Sequence, residues 1–282
     1  GIDDFIIGAY RASNGDIGMA GESFVVFGKA DNIPVNLSAV ETGIGGFVIK
    51  GVSAYDYSGY SVSGAGDVNG DGFDDVIVGA WRDSPNADLA GASFVVFGKT
   101  DGTAVELSDI ESGAGGFVIN GVAAEDYSGK SVSSAGDVNG DGFDDLIVGA
   151  RGDDPNADAA GASFVVFGKT DSQAVELSAV EAGTGGFVIN GVSASDQSGW
   201  SDSSAGDVNG DGFDDLIIGA PFDDPNADSA GSSFVVFGGN FTGSATQVGS
   251  TGDDTLTGTV GSDVLIAGTG ADTLIGSGGA DI

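Results

Sequence analysis

A nine-residue string rich in oxygen-bearing side chains, DVNGDGFDD, occurs three times, beginning at Asp67, Asp137 and Asp207. In each copy Asp, Asn, Asp and Asp stand at positions 1, 3, 5 and 9, and glycine stands at position 6, where a loop around one ion must bend sharply. The backbone carbonyl of the phenylalanine at position 7 offers a further oxygen. The candidate metal ligands are Asp67, Asn69, Asp71, Phe73, Asp75, Asp137, Asn139, Asp141, Phe143, Asp145, Asp207, Asn209, Asp211, Phe213 and Asp215.

Hard oxygen donors, several of them anionic, are typical of Ca²⁺ sites, in which roughly six to eight oxygens bind the ion. Mg²⁺ fits less well because it requires stricter octahedral geometry and retains its waters, and zinc is disfavoured because the chain has no Cys and no His. The loops therefore predict about three calcium ions, one for each copy. Asp4 corresponds to position 9 of an earlier copy, so we expect it to bind an ion only if upstream residues complete that loop.

Two other interpretations of the loops are less satisfactory. An EF-hand requires Glu at position 12, where this chain has Val78, Val148 and Ile218. A simple hairpin turn also favours Asp, Asn and Gly. However, three carboxylates within nine residues would repel one another unless a cation lay between them.

The loops belong to a repeat of 70 residues, because the string SFVVFG recurs at Ser23, Ser93, Ser163 and Ser233. Short stretches rich in Val, Ile and Phe, bounded by Gly, Asp, Asn and Ser, predict strands. In the second unit we expect four of them, around residues 59–65, 75–80, 93–97 and 116–120. Four short strands per repeat predict propeller blades or a related all-β array. The units lie near residues 1–50, 51–120, 121–190 and 191–240, and we expect only the first to be incomplete.

One short helical turn is expected in each unit, at the string LSAVE or LSDIE that begins at Leu37, Leu107 and Leu177. The serine of this string is followed three residues later by Glu, which is the spacing of a capping box with serine as the N-cap.

The period changes to nine residues from about Gly249, after a linker over residues 241–248. Asp254, Asp263, Asp272 and Asp281 are spaced nine apart, and each of the first three is followed two residues later by Leu. We interpret residues 249–282 as a second, smaller repeat. Because both ends of the sequence fall inside a repeat, we expect it to be a piece of a longer protein.

Composition excludes several classes of function. The 282 residues include 43 Asp and Glu but only 8 Lys and Arg, so the formal net charge is −35. Such a surface is expected to repel nucleic acid, which proteins bind through Lys and Arg. No apolar run approaches the ~18 residues of a membrane span, so membrane insertion is not expected. Without His or Cys there is no imidazole base or thiol nucleophile.

The loop followed by VIVGA, LIVGA and LIIGAP resembles the FG-GAP repeat of integrin α-subunit β-propellers and their bacterial relatives, over roughly residues 1–238. The resemblance implies that each four-stranded unit is one propeller blade, with a calcium loop joining its first two strands. Ser58-Gly59 and its two counterparts stand where Phe-Gly is usual, and GAP is complete only in the last unit. Three and a half blades do not close a ring of the seven that are usual in the family, so the resemblance implies further blades or partner chains.

The nonapeptide tail resembles RTX (hemolysin-type) calcium repeats, in which stacked turns form a parallel β-roll with calcium between Asp-bearing turns. The resemblance implies additional calcium ligands at Asp254, Asp263, Asp272 and Asp281. It also implies type I secretion from a Gram-negative bacterium and folding outside the cell. The alternative for this segment is a flexible linker.

Together these observations predict an extracellular, calcium-binding partial β-propeller of four-stranded antiparallel blades followed by a short parallel β-roll, with a structural, adhesion or surface-matrix role. The alternatives are a non-catalytic appendage of a secreted hydrolase and a carbohydrate-binding module. We expect no enzymatic activity in this piece, whereas a catalytic domain outside it is left open. The partners considered besides calcium are surface glycans, another protein and further copies of the chain.

Five aromatic residues at variable repeat positions are candidates for sugar stacking or for cross-strand packing: Tyr55, Tyr57, Tyr60, Trp81 and Trp200.

Overall fold

The computed structural model describes residues 2–225, 227, 229–239, 247–248, 255–258, 265–266, 273–275 and 277. Nearly all of its regular structure is β-sheet, which confirms the predicted fold class.

The first unit contains β1 (Phe5–Ala9), β2 (Glu22–Val26), α1 (Leu37–Val40) and β3 (Gly46–Lys50). The second contains β4 (Ser61–Gly66), β5 (Asp75–Ala80), β6 (Ala92–Val96), β7 (Val105–Glu106), α2 (Leu107–Glu111) and β8 (Gly116–Asn120). The third contains β9 (Ser131–Gly136), β10 (Asp145–Ala150), β11 (Ala162–Val166), β12 (Val175–Glu176), α3 (Leu177–Glu181) and β13 (Gly186–Asn190). The fourth contains β14 (Ser201–Gly206), β15 (Asp215–Ala220) and β16 (Ser232–Val236).

Within each unit the long strands pair antiparallel in chain order. In the second unit, for example, Val78 of β5 lies opposite Val62 of β4 and Phe94 of β6, and Phe94 in turn lies opposite Val118 of β8. These pairings confirm the predicted four-stranded blade for the second and third units. The central strands of the second and third blades are mostly apolar because both of their faces are covered, and every residue of β10 is buried.

The outer two blades each have three antiparallel strands of their own in the described part of the chain. The first lacks the equivalent of β4, as expected. In the part of the chain that the structure describes, the fourth shows no equivalent of β8. The string GGFVI that forms this strand in the other units occurs only at Gly45, Gly115 and Gly185. The expectation that only the first unit is incomplete stays a prediction.

An additional two-residue strand, which the sequence did not reveal, connects consecutive blades. β7 of the second unit pairs in parallel with β3 of the first, with Val105 opposite Ile49, and β12 of the third unit pairs with β8 in the same way. The glutamate of each short strand adds a side-chain bond, because Lys50 Nζ lies 3.1 Å from Glu106 Oε1 and Asn120 Nδ2 donates to Glu176 Oε1 at 2.8 Å. The second and third blades are each joined in this way to the preceding blade, at its fourth strand.

The predicted helical turns are confirmed, but the predicted capping box is wrong. The N-cap of α1 is Asn36, whose side-chain oxygen accepts a hydrogen bond from the backbone N–H of Ser38. The N-caps of α2 and α3 are Glu106 and Glu176, neither of which makes a side-chain capping bond. Each helix begins at its leucine, one residue before the serine, because the leucine side chain of α2 and α3 is buried in the core.

The hydrophobic core lies between the blades. Phe117 of the second blade packs in one cluster with Leu146 and Phe164 of the third. Ile147 of the third blade packs in another cluster with Leu216 of the fourth. Adjacent blades thus stack face to face, as in a propeller.

The tail contains four short strands: β17 (Gln247–Val248), β18 (Thr255–Thr257), β19 (Leu265–Ile266) and β20 (Thr273–Ile275). β17 pairs with β19 and β18 with β20, both in parallel. Thr255 lies opposite Thr273, two nonapeptides further along the chain. This pairing agrees with the predicted parallel β-roll. Within the described residues, no helix combines the length and the apolar character needed to cross a bilayer.

Candidate calcium-binding loops

Each DVNGDGFDD string forms the loop between the first and second strands of its blade, which agrees with the position that the family resemblance implies. In the second blade the loop leaves β4 at Gly66, where the pairing with β5 shifts register and the backbone takes a positive φ of 73°. Such a bulge turns the chain sharply and favours glycine. The same register shift occurs in the third and fourth blades.

The aspartate at position 1 organises the turn. Asp67 Oδ1 accepts hydrogen bonds from the backbone N–H groups of Gly70 and Asp71 at 2.8 and 3.0 Å, and Oδ2 accepts one from Gly72 at 2.9 Å. Asp137 and Asp207 make the same three bonds in their own loops. The chain therefore wraps around this carboxylate, and its negative charge lies at the centre of the loop.

The side chains at positions 3 and 5 differ between the loops in one informative respect. In the first and third loops the Asn side-chain oxygen accepts a hydrogen bond from the N–H at position 5. In the second loop Asn139 is fully buried, and its Oδ1 has no hydrogen-bond partner. A buried acceptor without a donor costs free energy unless a partner such as a cation or water satisfies it.

The aspartate at position 9 anchors the loop to the sheet. Asp75 Oδ2 accepts a hydrogen bond from Val68 N–H at 3.1 Å, and Oδ1 accepts one from Gly98 N–H at 2.7 Å, just after β6. Asp145 and Asp215 make the equivalent pairs of bonds. In the first blade Asp4 Oδ1 accepts the corresponding bond from Gly28 N–H, so Asp4 is the position-9 equivalent that the sequence predicted.

Burial and mutual repulsion make these anchoring carboxylates unfavourable as bare anions. The pKa of Asp75 is raised to about 7, chiefly by burial and also by the nearby carboxylates of Asp71 and Asp67, against the lowering effect of the two N–H donors. Burial likewise raises the pKa of Asp145 to about 8, with Asp141 and Asp137 adding to the effect. A divalent cation in the loop would relieve this repulsion and favour the ionised carboxylates.

The aspartate at position 8 has a role that the sequence reasoning missed. Asp144 Oδ2 accepts a hydrogen bond from Asp67 N–H in the preceding blade at 2.8 Å, and Asp144 N–H donates to the Asp67 carbonyl at 3.3 Å. Asp214 is bonded to Asp137 in the same way. The available signal was the first Asp of the FDD string, which recurs in every loop although it falls outside the alternating ligand pattern.

The donor set of the loops fits calcium. All candidate ligands are oxygen atoms, each string contains no Lys or Arg, and Asn139 Oδ1 lacks a partner. Among the described residues no three acidic side chains form a ready-made metal cluster. A site here would therefore combine carboxylate, amide and backbone oxygens, which is common for Ca²⁺.

The phenylalanine at position 7 was predicted to offer its backbone carbonyl to calcium, and its ring has a separate role in packing. These residues are Phe73, Phe143 and Phe213. A side chain at Gly70 would collide with the ring of Phe143, so the ring of one loop covers the preceding loop. The four aspartates of the tail, Asp254, Asp263, Asp272 and Asp281, lie outside the described residues.

Comparison with known protein families agrees with this geometry. The FG-GAP repeat model matches residues 58–96, 128–166 and 199–236, and the RTX calcium-binding nonapeptide repeat model matches residues 248–282. The chain contains three FG-GAP repeats and RTX calcium-binding nonapeptide repeats. The three FG-GAP matches each contain one of the loops described above.

Curated relatives include integrin subunits and one enzyme. The FG-GAP region is 33% identical over 185 residues to integrin alpha-PS5 of Drosophila melanogaster, covering 62% of this chain and 16% of the relative. It is 29% identical over 180 residues to integrin alpha-5 of Xenopus laevis, covering 61% and 15%. A phosphatidylinositol-glycan-specific phospholipase D of Dictyostelium discoideum is 28% identical over 204 residues, covering 68% and 21%. The chain thus spans only 15–21% of the length of these relatives.

The two repeat types indicate an extracellular or secreted calcium-binding β-propeller.

Proposed function

We propose that this FG-GAP and RTX chain is a calcium-stabilised extracellular scaffold with an adhesion or surface-matrix role. One ion would be held in each of the three loops, by the carboxylates at positions 1 and 5, the amide oxygen at position 3 and the carbonyl at position 7. The position-9 carboxylate would fix the loop and contribute charge. Further ions would be held by the aspartates of the tail. Bound calcium supplies positive charge, and the chain's own residues supply the geometry.

Two observations on the second loop carry the proposal. Asn139 Oδ1 is buried and has no hydrogen-bond partner among the described residues, and the anchoring Asp145 is buried beside the carboxylates of Asp141 and Asp137. The same loop is built three times with the same backbone hydrogen bonds. Ligand binding to the folded form alone stabilises each site by about 2.7 kcal/mol at a hundredfold excess over Kd. Three sites would then offset much of the repulsion within a chain of net charge −35.

Calorimetry of the whole chain tests the proposal. We expect the melting temperature to fall strongly when excess EGTA replaces millimolar calcium, and we expect magnesium to restore little of it. Isothermal titration should show calcium binding that Asp141→Asn reduces by one ion. Asp16→Asn, which removes an exposed carboxylate outside the loops, should leave the stoichiometry unchanged. An identical melting curve with and without EGTA would refute the proposal.

We also infer that this piece is not itself an enzyme. The similarity to a phospholipase D supports a second candidate role, that of a non-catalytic appendage of a secreted hydrolase. Type I secretion is part of the proposal and is supported by the RTX repeats. Incubating the folded, calcium-loaded chain with phospholipids, esters and polysaccharides tests the inference, since turnover of any of them would contradict it.

A further inference from the structure

Aromatic rings and cations alternate along one line that runs across the blades. Lys130 Nζ lies 3.7 Å from the ring centroid of Tyr60 and 4.0 Å from that of Trp81. In the next blade the Arg151 guanidinium lies 4.9 Å from the centroids of both Tyr127 and Trp200. The two groups are joined because Trp81 and Tyr127 lie 5.5 Å apart in an edge-to-face contact. We call this set the ring-and-cation row: Tyr60, Trp81, Tyr127, Lys130, Arg151 and Trp200.

The row extends through all four units and is separate from the calcium loops. Tyr10 of the first unit lies 5.2 Å from Tyr60, and Phe222 of the fourth lies 5.8 Å from Trp200. Its members stand just before the first strand or just after the second strand of a blade. The calcium loops join the other ends of these two strands. The row therefore lies at the strand ends opposite those that carry the calcium loops.

The row contains the positive charges that the chain has not paired with carboxylates. Four lysines form ion pairs with nearby acidic residues: Lys29, Lys50, Lys99 and Lys169. The other four basic residues form none within the part of the chain that the structure describes. They are Lys130 and Arg151 in the row, Arg82 over Trp81, and Arg11 over Tyr10. In a chain with 43 acidic residues, this distribution concentrates the available cations in one place.

The row also contains N–H donors that lack an acceptor in the described residues, and two of its rings are partly exposed to solvent. Arg151 Nε and Trp81 Nε1 are buried and have no acceptor among the described residues, while Arg151 Nη1 donates to Gln197 Oε1 at 2.9 Å. Tyr60 and Trp200 remain 42% and 41% exposed. Rings that combine an apolar body with a polar tip, next to unpaired cations, suit a ligand that offers both apolar faces and anionic groups.

We propose that the ring-and-cation row binds an acidic polysaccharide. Each uronate unit of such a polymer offers a face of C–H groups for an aromatic ring and a carboxylate for a cation, and the linear row matches a linear chain. At physiological ionic strength the Debye length is about 8 Å, so in this chain of net charge −35 the carboxylates that lie farther than this from the row are largely screened from a bound ligand. Nucleic acid is less suitable because it relies on many phosphate contacts.

The proposal rests on the extracellular binding role inferred above and names its partner. The test uses the whole chain with saturating calcium and two probes, a glucuronate oligosaccharide and a glucose oligosaccharide of the same length, with isothermal titration as the measurement. We expect the glucuronate probe to bind, the glucose probe to bind at least about tenfold more weakly, and the affinity to fall as sodium chloride is added.

Variants of the row locate the site. Lys130→Met keeps an apolar side chain between the rings but removes the charge, and should lower the affinity about tenfold, whereas Lys130→Arg should retain it. Lys99→Met is the matched control, because Lys99 also lies over a ring, that of Phe47, but is paired with Asp101 outside the row. Trp200→Ala is a second variant, at the exposed end of the row, and should also weaken binding.

Equal binding by Lys130→Met, Lys99→Met and the unaltered chain would refute the site. Failure of the folded, calcium-loaded chain to bind glucuronate would refute the ligand, as would equally tight binding of DNA or an acidic peptide. Either result leaves the calcium-dependent melting temperature unaffected, so it is distinguishable from a failure of the proposed function.

Discussion

The carboxylate of Asp144 accepts a hydrogen bond from the backbone N–H of Asp67 at 2.8 Å, although the two residues belong to consecutive blades and lie 77 positions apart. Asp67 uses its own carboxylate to shape the loop that precedes β5. The position-1 aspartate of one loop is thus held by the position-8 aspartate of the next, and the calcium loops form a chain of contacts from blade to blade.

Removing this contact should weaken the junction between the second and third blades. We expect Asp144→Ala to lower the free energy of unfolding by about 1–3 kcal/mol, because a hydrogen bond to a charged group is lost and the Asp67 N–H loses its partner. Asp74→Ala is the matched control, since the equivalent Asp74 is exposed and makes no such bond in the described residues. Urea denaturation in saturating calcium measures both variants. Equal losses would contradict the role given to Asp144.

The same contact requires a glycine before the first and second loops, at Gly66 and Gly136. A side chain on Gly136, at φ 72°, would collide with the Asp214 carboxylate, whereas one on Gly206, at φ 68°, meets no atom within 4 Å. Both Gly136→Ala and Gly206→Ala incur the cost of a positive φ, about 1–2 kcal/mol. We expect Gly136→Ala to lose more stability than Gly206→Ala in thermal unfolding, and the difference measures the displacement of Asp214. A difference near zero would show that Asp214 moves without cost.

A substitution at Asn139 tests the calcium site, because its effect on the free energy of unfolding should differ in sign or size between EGTA and calcium. Asn139→Asp adds a carboxylate to the three at positions 1, 5 and 9 of a buried loop, so in EGTA it should lower the free energy of unfolding by about 1–3 kcal/mol. With calcium present the additional charge should tighten binding, which reduces or reverses that loss. Calorimetry in both conditions, with isothermal titration of calcium, checks this. If the variant is destabilised equally in both conditions, Asn139 is not a ligand.

Asp202 should make stability depend on pH. It occupies the position of Val62 and Val132 in the other blades, and its Oδ1 accepts a hydrogen bond from Ser163 Oγ at 3.1 Å. Burial raises the pKa of Asp202 from 3.8 to about 7. The folded state therefore binds this proton more tightly than the unfolded state, so the contribution is fully present below pH 3.8 and is lost as pH rises towards 7.

We expect Asp202→Val to raise the melting temperature in calcium, and to do so more at pH 7.5 than at pH 5, by on the order of 1 kcal/mol per pH unit across that window. Asp202→Asn keeps the size and polarity of the side chain but does not titrate. Its stability should therefore depend on pH as weakly as that of Asp202→Val, without the gain in packing. The comparison is between each variant and the unaltered chain, because other acidic residues also titrate. A parallel pH profile for all three chains would show that Asp202 is already neutral or solvated.

Much of the local structure was predictable from the sequence. The Val-, Ile- and Phe-rich strings form strands because β-branched and aromatic side chains pack well in sheets, and the Asp-Asn-Gly strings form tight turns because their side chains bond to the adjacent backbone. The 70-residue period predicted the blades, and the spacing of Asp67, Asn69 and Asp71 predicted a loop rich in oxygen donors. The position of the short helices was also predictable, although the burial of Leu107 and Leu177 shifted their start.

Only the tertiary structure decided how these local pieces meet. The bond from Asp144 to Asp67, the parallel strand that carries Glu106 to the edge of the preceding blade, and the stacking of Lys130 between Tyr60 and Trp81 all join residues more than 40 positions apart. Side-chain chemistry within a short segment sets strands and turns, because the interacting groups are covalent neighbours. Contacts between blades depend instead on how whole sheets pack around a shared apolar core, which is a property of the entire chain and has no signature in any one repeat.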